Sequence, residues 1–348
     1  MNTQIAKLYD IASKSERIII GLMSGTSLDG LDIAVCKIQN HGVDSKLSLL
    51  AFVTMPYEEA FRNQIRDVFA KRTIDQQQLS GLNVSIAQTH AQLIGQALQQ
   101  WNINAASIDA IASHGQTVYH APQSLTGDRN TPNSTLQIGD GDHIAVTTGI
   151  ITISDFRQKH LAAGGEGAPL AAYGDFLLFT DKIENRFLLN IGGIANFTFL
   201  PHQGSAQQAY ATDLGPGNTL MNQYMHRYFN VEMDKDAQMA KLGKAHLGLL
   251  AQLQQLPFLA QGFPKTTGPE LFNLAFLDSA QQASNSASLS AEDVMATLCL
   301  FTAKEIAKGI SLQAQGLTAV AVYVSGGGLH NPLLMEMLKK EMPHFKIA

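Results

Sequence analysis

Apolar residues crowd the stretch Arg17 to Met23 (RIIIGLM), and from Leu31 to Ile38 they alternate, with Leu31, Ile33 and Val35 set against Asp32, Ala34 and Cys36. Period-two alternation predicts half-buried strands. The segment Ser24 to Gly30 between them, rich in Gly, Ser and Asp, predicts a hairpin. The period then changes: Ile86, His90, Ile94, Ala97 and Trp101 recur at helical spacing, which predicts an amphipathic helix from Leu79 to Trp101. Strand patterns return at Ile108 to Ala112, before Ser113-His114-Gly115-Gln116-Thr117, and at Ile144 to Ile153, before Ser154-Asp155-Phe156-Arg157. Arg186 to Leu200 reads as a second hairpin, with Asn190-Ile191-Gly192-Gly193 at its centre. Asp213 to Asn218 is expected to open a helix running through Tyr228, and Ser290 is a natural N-cap for a helix to Ile310. A strand from Ala319 to Val324 precedes Ser325-Gly326-Gly327-Gly328, with a helix from about Pro332. No sequence repeat stands out.

Strands and helices mix throughout, which is the pattern of an α/β protein. Glycine-rich loops recur at strand ends and hairpin tips in both halves, where such folds bind ligands. The polar, turn-rich stretch Gly127 to Ser134 predicts a boundary between a domain over 1–132 and another over 133–348. A length of 348 residues suits two domains, and 45% hydrophobic with 15% charged residues leaves ample core. The net charge of -5, without a basic cluster, argues against a nucleic-acid partner. Cys36 and Cys299 cannot form a disulfide framework, so a reducing compartment is expected. Met1 to Arg17 lacks the apolar core of a secretory signal, and runs such as Leu317 to Val324 fall far short of the ~20 residues of a membrane helix. A cytoplasmic protein with no membrane partner is expected.

The glycine loops carry the candidate chemistry. Close backbone approach to a polyphosphate needs residues without Cβ and free N–H groups facing the anion. Ser24 to Gly30 supplies two glycines, three hydroxyls and a carboxylate, and Asp29 or Asp32 could orient a hydrated Mg²⁺. Equally, Gly25 and Gly30 could serve only a tight turn. Gly192-Gly193 and Gly326 to Gly328 carry the same two readings. The nucleotide-binding motif G-x-x-x-x-G-K-[ST] is absent, since Gly243-Lys244 is followed by Ala245, and Gly139-Asp140-Gly141 lacks the third glycine of G-x-G-x-x-G. There is no H-E-x-x-H and no G-x-S-x-G. What remains is the split ATP site of actin, sugar kinases and chaperone ATPases, in which a hairpin from each half clamps the phosphates.

The stretch GLMSGTSLDGLDIAV (Gly21 to Val35) resembles the N-terminal signature of the 1,6-anhydro-N-acetylmuramic acid kinases. SHGQT (Ser113 to Thr117), LQIGD (Leu136 to Asp140), SDFR (Ser154 to Arg157) and AAGGEGAPL (Ala162 to Leu170) continue the resemblance in order. LNIGGIAN (Leu189 to Asn196), GPGN (Gly215 to Asn218), DKD (Asp234 to Asp236) and SGGGLHN (Ser325 to Asn331) complete it. The resemblance implies a two-domain actin-like ATPase (ribonuclease H-like) fold with an interdomain cleft, ATP and Mg²⁺ as cofactors, an amino-sugar substrate and a homodimer. It implies a reaction in which water opens the 1,6-anhydro bridge and O6 takes the γ-phosphate, giving N-acetylmuramic acid 6-phosphate. It makes Gly25, Thr26, Ser27, Leu28, Asp29, Gly30, Leu31 and Asp32 the ATP-phosphate segment, with Gly192, Gly193, Gly326 and Gly327 lining the nucleotide site. It makes Asp155 the general base, a role that spacing alone would have given to a turn cap. Arg157 could hold the sugar's carboxylate or a phosphate, or make a structural ion pair. His114 could contact the sugar or serve structure. Asp213, like Asp29, could place Mg²⁺ through water, or cap the helix after it. Relatives commonly carry Arg where Pro269 stands, acidic residues at Asn222 and Val146, Asp at His160, and a further C-terminal helix with an acidic residue near the substrate.

Overall fold

The structure, a computed structural model, describes residues 2–25, 28–168, 170–202, 204, 206–268 and 270–348. Thr26 and Ser27 of the first glycine loop, and Pro269, lie outside the described residues. The chain divides into two compact units, Met1–Leu170 and Ala171–Ala348.

In the first unit the β-branched run after Glu16 forms β1 (Glu16–Ser24), which pairs antiparallel with β2 (Gly30–Gln39). The alternation read from sequence is the alternation of burial: Leu31, Ile33 and Val35 are fully buried and their neighbours are not. β3 (Lys46–Pro56) extends the sheet antiparallel to β2. The helix Gln76–Gln100 follows, capped by Asp75, whose side chain accepts from the Gln78 N–H, and it buries Leu82, Ile86, His90 and Ile94. It leads to β4 (Ala110–Ala121), parallel to β1. β5 (Ser134–Ile138) folds back antiparallel on β4, and β6 (Thr152–Ser154) lies parallel to β4.

Three expectations change here. The strand expected at Ile108 to Ala112 runs on to Ala121, so the SHGQT motif lies within β4. The segment expected as a strand from Ile144 is instead the helix Gly141–Thr148, with only Thr152–Ser154 extended. Asp140 caps that helix by accepting from the Asp142 N–H, and Gly149 at φ 70° ends it. Capping and the burial of Ile144 override the β-branched preference of Val146 to Thr148. The expected boundary at 132/133 falls inside this unit and moves to 170/171, because the strands flanking the polar loop pair with each other, Ala121 opposite Ser134. Turn-rich composition marks a loop, but not whether the strands it joins are partners.

In the second unit β7 (Asn185–Ile191) and β8 (Ile194–Leu200) form the second hairpin, and β9 (Tyr210–Pro216) pairs antiparallel with β8. Asp213 therefore lies in a strand; the helix expected from it starts later, as Thr219–Phe229. Ser290 caps the helix Ala291–Gln313 by accepting from the Asp293 N–H. That helix is buried on most sides, with Val294, Leu298, Phe301, Ile306 and Ile310 in the core beside Phe187 and Phe197. β10 (Val320–Ser325) is parallel to β7, and after the helix Pro332–Glu341 the short β11 (Lys346–Ile347) is parallel to β10.

The two sheets share one plan. The order β3-β2-β1-β4-β6 in the first matches β9-β8-β7-β10-β11 in the second. In each, three antiparallel strands lead through a long helix to two parallel strands. This duplicated α/β plan is the actin-like, ribonuclease H-like class. The repeat is one of topology, which sequence inspection had not revealed. Among the described residues no helix is long and apolar enough to cross a membrane.

Candidate active site

In the first unit, register decides what meets what. Leu22 lies opposite Ser113 and Ser24 opposite Gln116, while Ser113 lies opposite Ser154. The β1–β2 turn and Asp155 thus leave the carboxyl ends of β1 and β6 on either side of the SHGQT motif inside β4, and strand ends are where α/β sheets bind ligands. Two strand spacings, about 10 Å, separate the outer two.

Gly25 and Leu28 frame the turn: the Leu28 N–H donates to the Gly25 carbonyl at 3.4 Å, and Leu28 sits at φ 58°. Asp29 is exposed, and its carbonyl accepts from the Tyr57 N–H at 3.1 Å. The side chains of Leu28 and Leu31 are in the core. Gly30 is where β2 approaches β3, since a Cβ there would lie 2.3 Å from the Met55 carbonyl oxygen. Asp32 faces across the sheet and accepts from Thr54 Oγ1 at 2.6 Å. Of the predicted phosphate segment, then, Gly25 and Asp29 are the described residues at the tip, and Leu28, Gly30, Leu31 and Asp32 hold it to the sheet.

Asp155 follows β6 in the left-handed region, φ 64° and ψ 37°, and stands exposed before the helix Phe156–Ala162. Its side chain makes no capping bond to that helix, so the turn-cap alternative is not realised. A non-glycine residue held left-handed costs of order 1 kcal/mol or more and recurs at functional sites. Arg157, two residues on, donates from Nε to His114 Nε2 at 2.8 Å and from Nη1 to the Gly167 carbonyl at 2.7 Å. Because His114 Nε2 accepts, its proton is on Nδ1, which donates to the Gly115 carbonyl at 2.9 Å. Burial holds His114 below the usual histidine range, opposed by its bond to the Gly115 carbonyl and reinforced by the Arg157 charge. His120 is lowered by burial and by Arg157, with Glu166 opposing. Arg157 has no carboxylate within ion-pair distance among the described residues, so the structural ion-pair alternative is absent as well. A half-buried guanidinium without a counter-ion is suited to an anion.

In the second unit the glycine turns interlock. The N–H groups of Gly217 and Asn218 donate to the carbonyls of Gly193 and Gly192, both at 2.8 Å. Asn218 Nδ2 reaches the carbonyls of Ile191 and Gly192, each at 3.1 Å. Gly217 packs so closely that a Cβ would lie 2.2 Å from the Gly192 carbonyl oxygen. Gly326, at φ 84°, would place a Cβ 2.5 Å from Asn190 Oδ1. Gly192 and Gly327 are more open, with the nearest atoms beyond 3.4 Å. Since Ser325 lies opposite Asn190, these loops share the carboxyl ends of β7 and β10. Asp213, beside Asn196 in the register, accepts from the Thr267 N–H at 2.8 Å. Burial pushes its carboxyl above the usual range, and the Thr267 bond only partly offsets this. Asn190, Asn196 and Ser325 also line a cavity of about 550 Å³ on the sheet face opposite the core, which reaches Asp175 and Tyr323.

The family model for anhydro-N-acetylmuramic acid kinase matches residues 17–348 of the chain. The chain belongs to the anhydro-N-acetylmuramic acid kinase family. It is 55% identical over 345 residues to the anhydro-N-acetylmuramic acid kinase of Pseudoalteromonas atlantica, covering 99% of this chain and 86% of that relative. The kinase of that name from Pseudoalteromonas translucida is 52% identical, with the same coverage. The one from Caldanaerobacter subterraneus subsp. tengcongensis is 36% identical over 98% of this chain and 87% of its own length.

For this family member, reading motifs located the loops but not the side chains that brace them. Ser24, Tyr57, Gln116, Asn218 and Gly167 hold the turns and Arg157 in place, a bracing role that the motifs did not disclose. Ser24, Gln116, Gly167 and Asn218 lie inside the quoted motifs; nothing in the sequence ties Tyr57 to the loop it braces. Two positions at which relatives were expected to differ fit their surroundings here. His160 Nδ1 accepts from the Gly167 N–H at 3.1 Å, and Val146 is 86% exposed.

Proposed function

We propose that this kinase uses ATP and water to convert 1,6-anhydro-N-acetylmuramic acid into N-acetylmuramic acid 6-phosphate and ADP. The observation that carries the reading is the convergence, on one sheet end of a chain of this family, of a glycine turn, an uncompensated guanidinium and an exposed carboxylate. In this reading Asp155 takes a proton from water as its oxygen bonds to C1. The C1–O6 bond breaks, and O6 receives the γ-phosphoryl group. Water's oxygen becomes the anomeric hydroxyl. A positioned carboxylate is worth ~10²–10⁴ in rate in such a step. Arg157 orients the sugar's carboxylate, and His114, as the Nδ1–H tautomer, holds Arg157 by its Nε.

Within each unit the glycine turns are the candidate nucleotide contacts, Gly25 in the first and Gly192, Gly193, Gly326 and Gly327 in the second. Gly192 and Gly327 have room at the missing Cβ, which lets backbone N–H groups approach phosphate oxygens or a nucleoside. Asp29 and Asp213 are single carboxylates rather than parts of a ligand cluster, and the described residues contain no group of three or more metal-ligating side chains. Such a donor set fits Mg²⁺ held mainly by phosphates and water, with protein carboxylates at its margin. When bound, the ion supplies charge neutralisation at the phosphates.

The test is a product assay with Mg-ATP and the anhydro-sugar in ¹⁸O-enriched water, read by mass spectrometry against a spontaneous-exchange control. Label at the anomeric hydroxyl of N-acetylmuramic acid 6-phosphate supports coupled ring opening and phosphorylation. Phosphorylation of open amino sugars alone, with the anhydro-sugar untouched, would replace this reading with that of a plain sugar kinase.

A further inference from the structure

Four polar side chains that take no part in the chemistry above are buried together beneath the first hairpin. Ser24, Tyr57, His90 and Gln116 are each no more than 5% exposed. Such burial is unfavourable unless every group is bonded. The proton positions follow from one end. Gln116 Nε2 donates to the carbonyls of Gly25 at 3.3 Å and Thr117 at 3.0 Å, so its Oε1 is the face turned to Ser24. Ser24 Oγ gives its one proton to that oxygen. It must then accept from Tyr57 OH, at 2.9 Å, and Tyr57 OH must accept from His90 Nε2, at 2.8 Å. His90 is therefore the neutral Nε2–H tautomer, leaving Nδ1 bare, and Nδ1 is the His90 atom that has no partner. The assignment leaves no spare proton and no orphaned N–H in the chain.

The chain ends on the carbonyl that closes the turn. Gly25 O receives both Gln116 Nε2 and the Leu28 N–H. Leu28 holds a left-handed backbone while its side chain is anchored in the core. Two donors on one oxygen fix the direction of the Gly25 carbonyl. Ring contacts fix the middle of the chain: Tyr57 and His90 lie nearly parallel, end to end through their hydrogen bond with centroids 6.2 Å apart, and Tyr57 meets Phe61 edge-on at 5.1 Å.

We propose that Tyr57, Ser24 and Gln116, with His90 behind them, are positioning residues that set the Gly25 peptide for the nucleotide phosphates. They act through Gly25. The inference rests on reading Gly25 to Asp32 as the ATP-phosphate segment. Preorganising a turn before the anion arrives lowers the ordering cost at binding.

Two measurements test it. Nitrogen-15 NMR of the wild-type protein near neutral pH should show His90 as the Nε2–H tautomer; an Nδ1–H ring or an imidazolium would overturn the proposal without any variant. Tyr57→Phe and Gln116→Met should each raise the Kd and KM for Mg-ATP by roughly five- to tenfold while the KM for the anhydro-sugar changes less than about twofold. Because both variants cut one chain, the double variant should be little worse than the poorer single one. Variants that melt lower but bind ATP as the wild type does would show a purely structural network and overturn it. Wild-type protein that fails to bind Mg-ATP would instead remove the phosphate reading on which the proposal stands.

Discussion

Asp155 illustrates how little a residue's neighbours in sequence say about its role. An aspartate after a strand and before a helix is a natural cap, yet this one makes no capping bond and stands exposed in a left-handed conformation. Asp155→Asn keeps the shape, since Asn also tolerates that region, but removes the proposed base. Turnover should fall by at least ~10²-fold with ATP affinity retained, as read by steady-state kinetics beside calorimetry; wild-type turnover would take Asp155 out of that role. Arg157 offers a second test. Its fork spans His114 and Gly167, and Lys cannot reproduce that geometry. Arg157→Lys should raise the KM for the sugar by roughly tenfold, about 1.4 kcal/mol of lost binding, with ATP affinity little changed. An unchanged sugar KM would leave Arg157 a brace for the loop and no more.

At the scale of elements, the hairpins and the long helices were legible because each is specified within a few residues. Period-two burial in β2, the Ser290 cap and the β7–β8 hairpin depend on local pattern alone. The errors came where competing local signals were settled by packing. Val146 to Thr148 favours a strand, but the Asp140 cap and the buried Ile144 made a helix. The clamp between the glycine turns is a long-range feature, 217–218 on 192–193, and its tolerance is small. Gly217→Ala would force a Cβ against the Gly192 carbonyl oxygen, 2.2 Å away. Overpacking between backbone segments costs about 1–3 kcal/mol. Both the melting temperature and the nucleotide affinity should fall; a variant with wild-type ATP affinity would detach this clamp from the nucleotide site.

At the scale of the whole molecule, acid stability gives a further test. His90 is fully buried and neutral, and burial pushes its pKa from 6.5 down to about 3. The unfolded chain therefore binds the proton more readily than the folded one. The stability contribution is complete above about pH 6.5 and is lost progressively as pH falls toward 3, in total a few kcal/mol. His90→Gln should flatten the pH dependence of unfolding free energy across that window, whatever its effect at pH 7. An unchanged slope in urea titrations between those limits would exclude His90 as its source. The sequence by itself determined the α/β class, both glycine-bearing hairpins, the long helices and, through its ordered motifs, the family. These rest on local periodicity, capping and short contiguous motifs, which survive without knowledge of partners. Only the tertiary structure decided where the units divide, that both sheets follow one strand plan, and that Gly25, His114 and Asp155 share one sheet end. It also decided that His90, Tyr57, Ser24 and Gln116 form one chain. Each of these depends on strand register and on contacts between residues far apart in sequence, which no local pattern encodes.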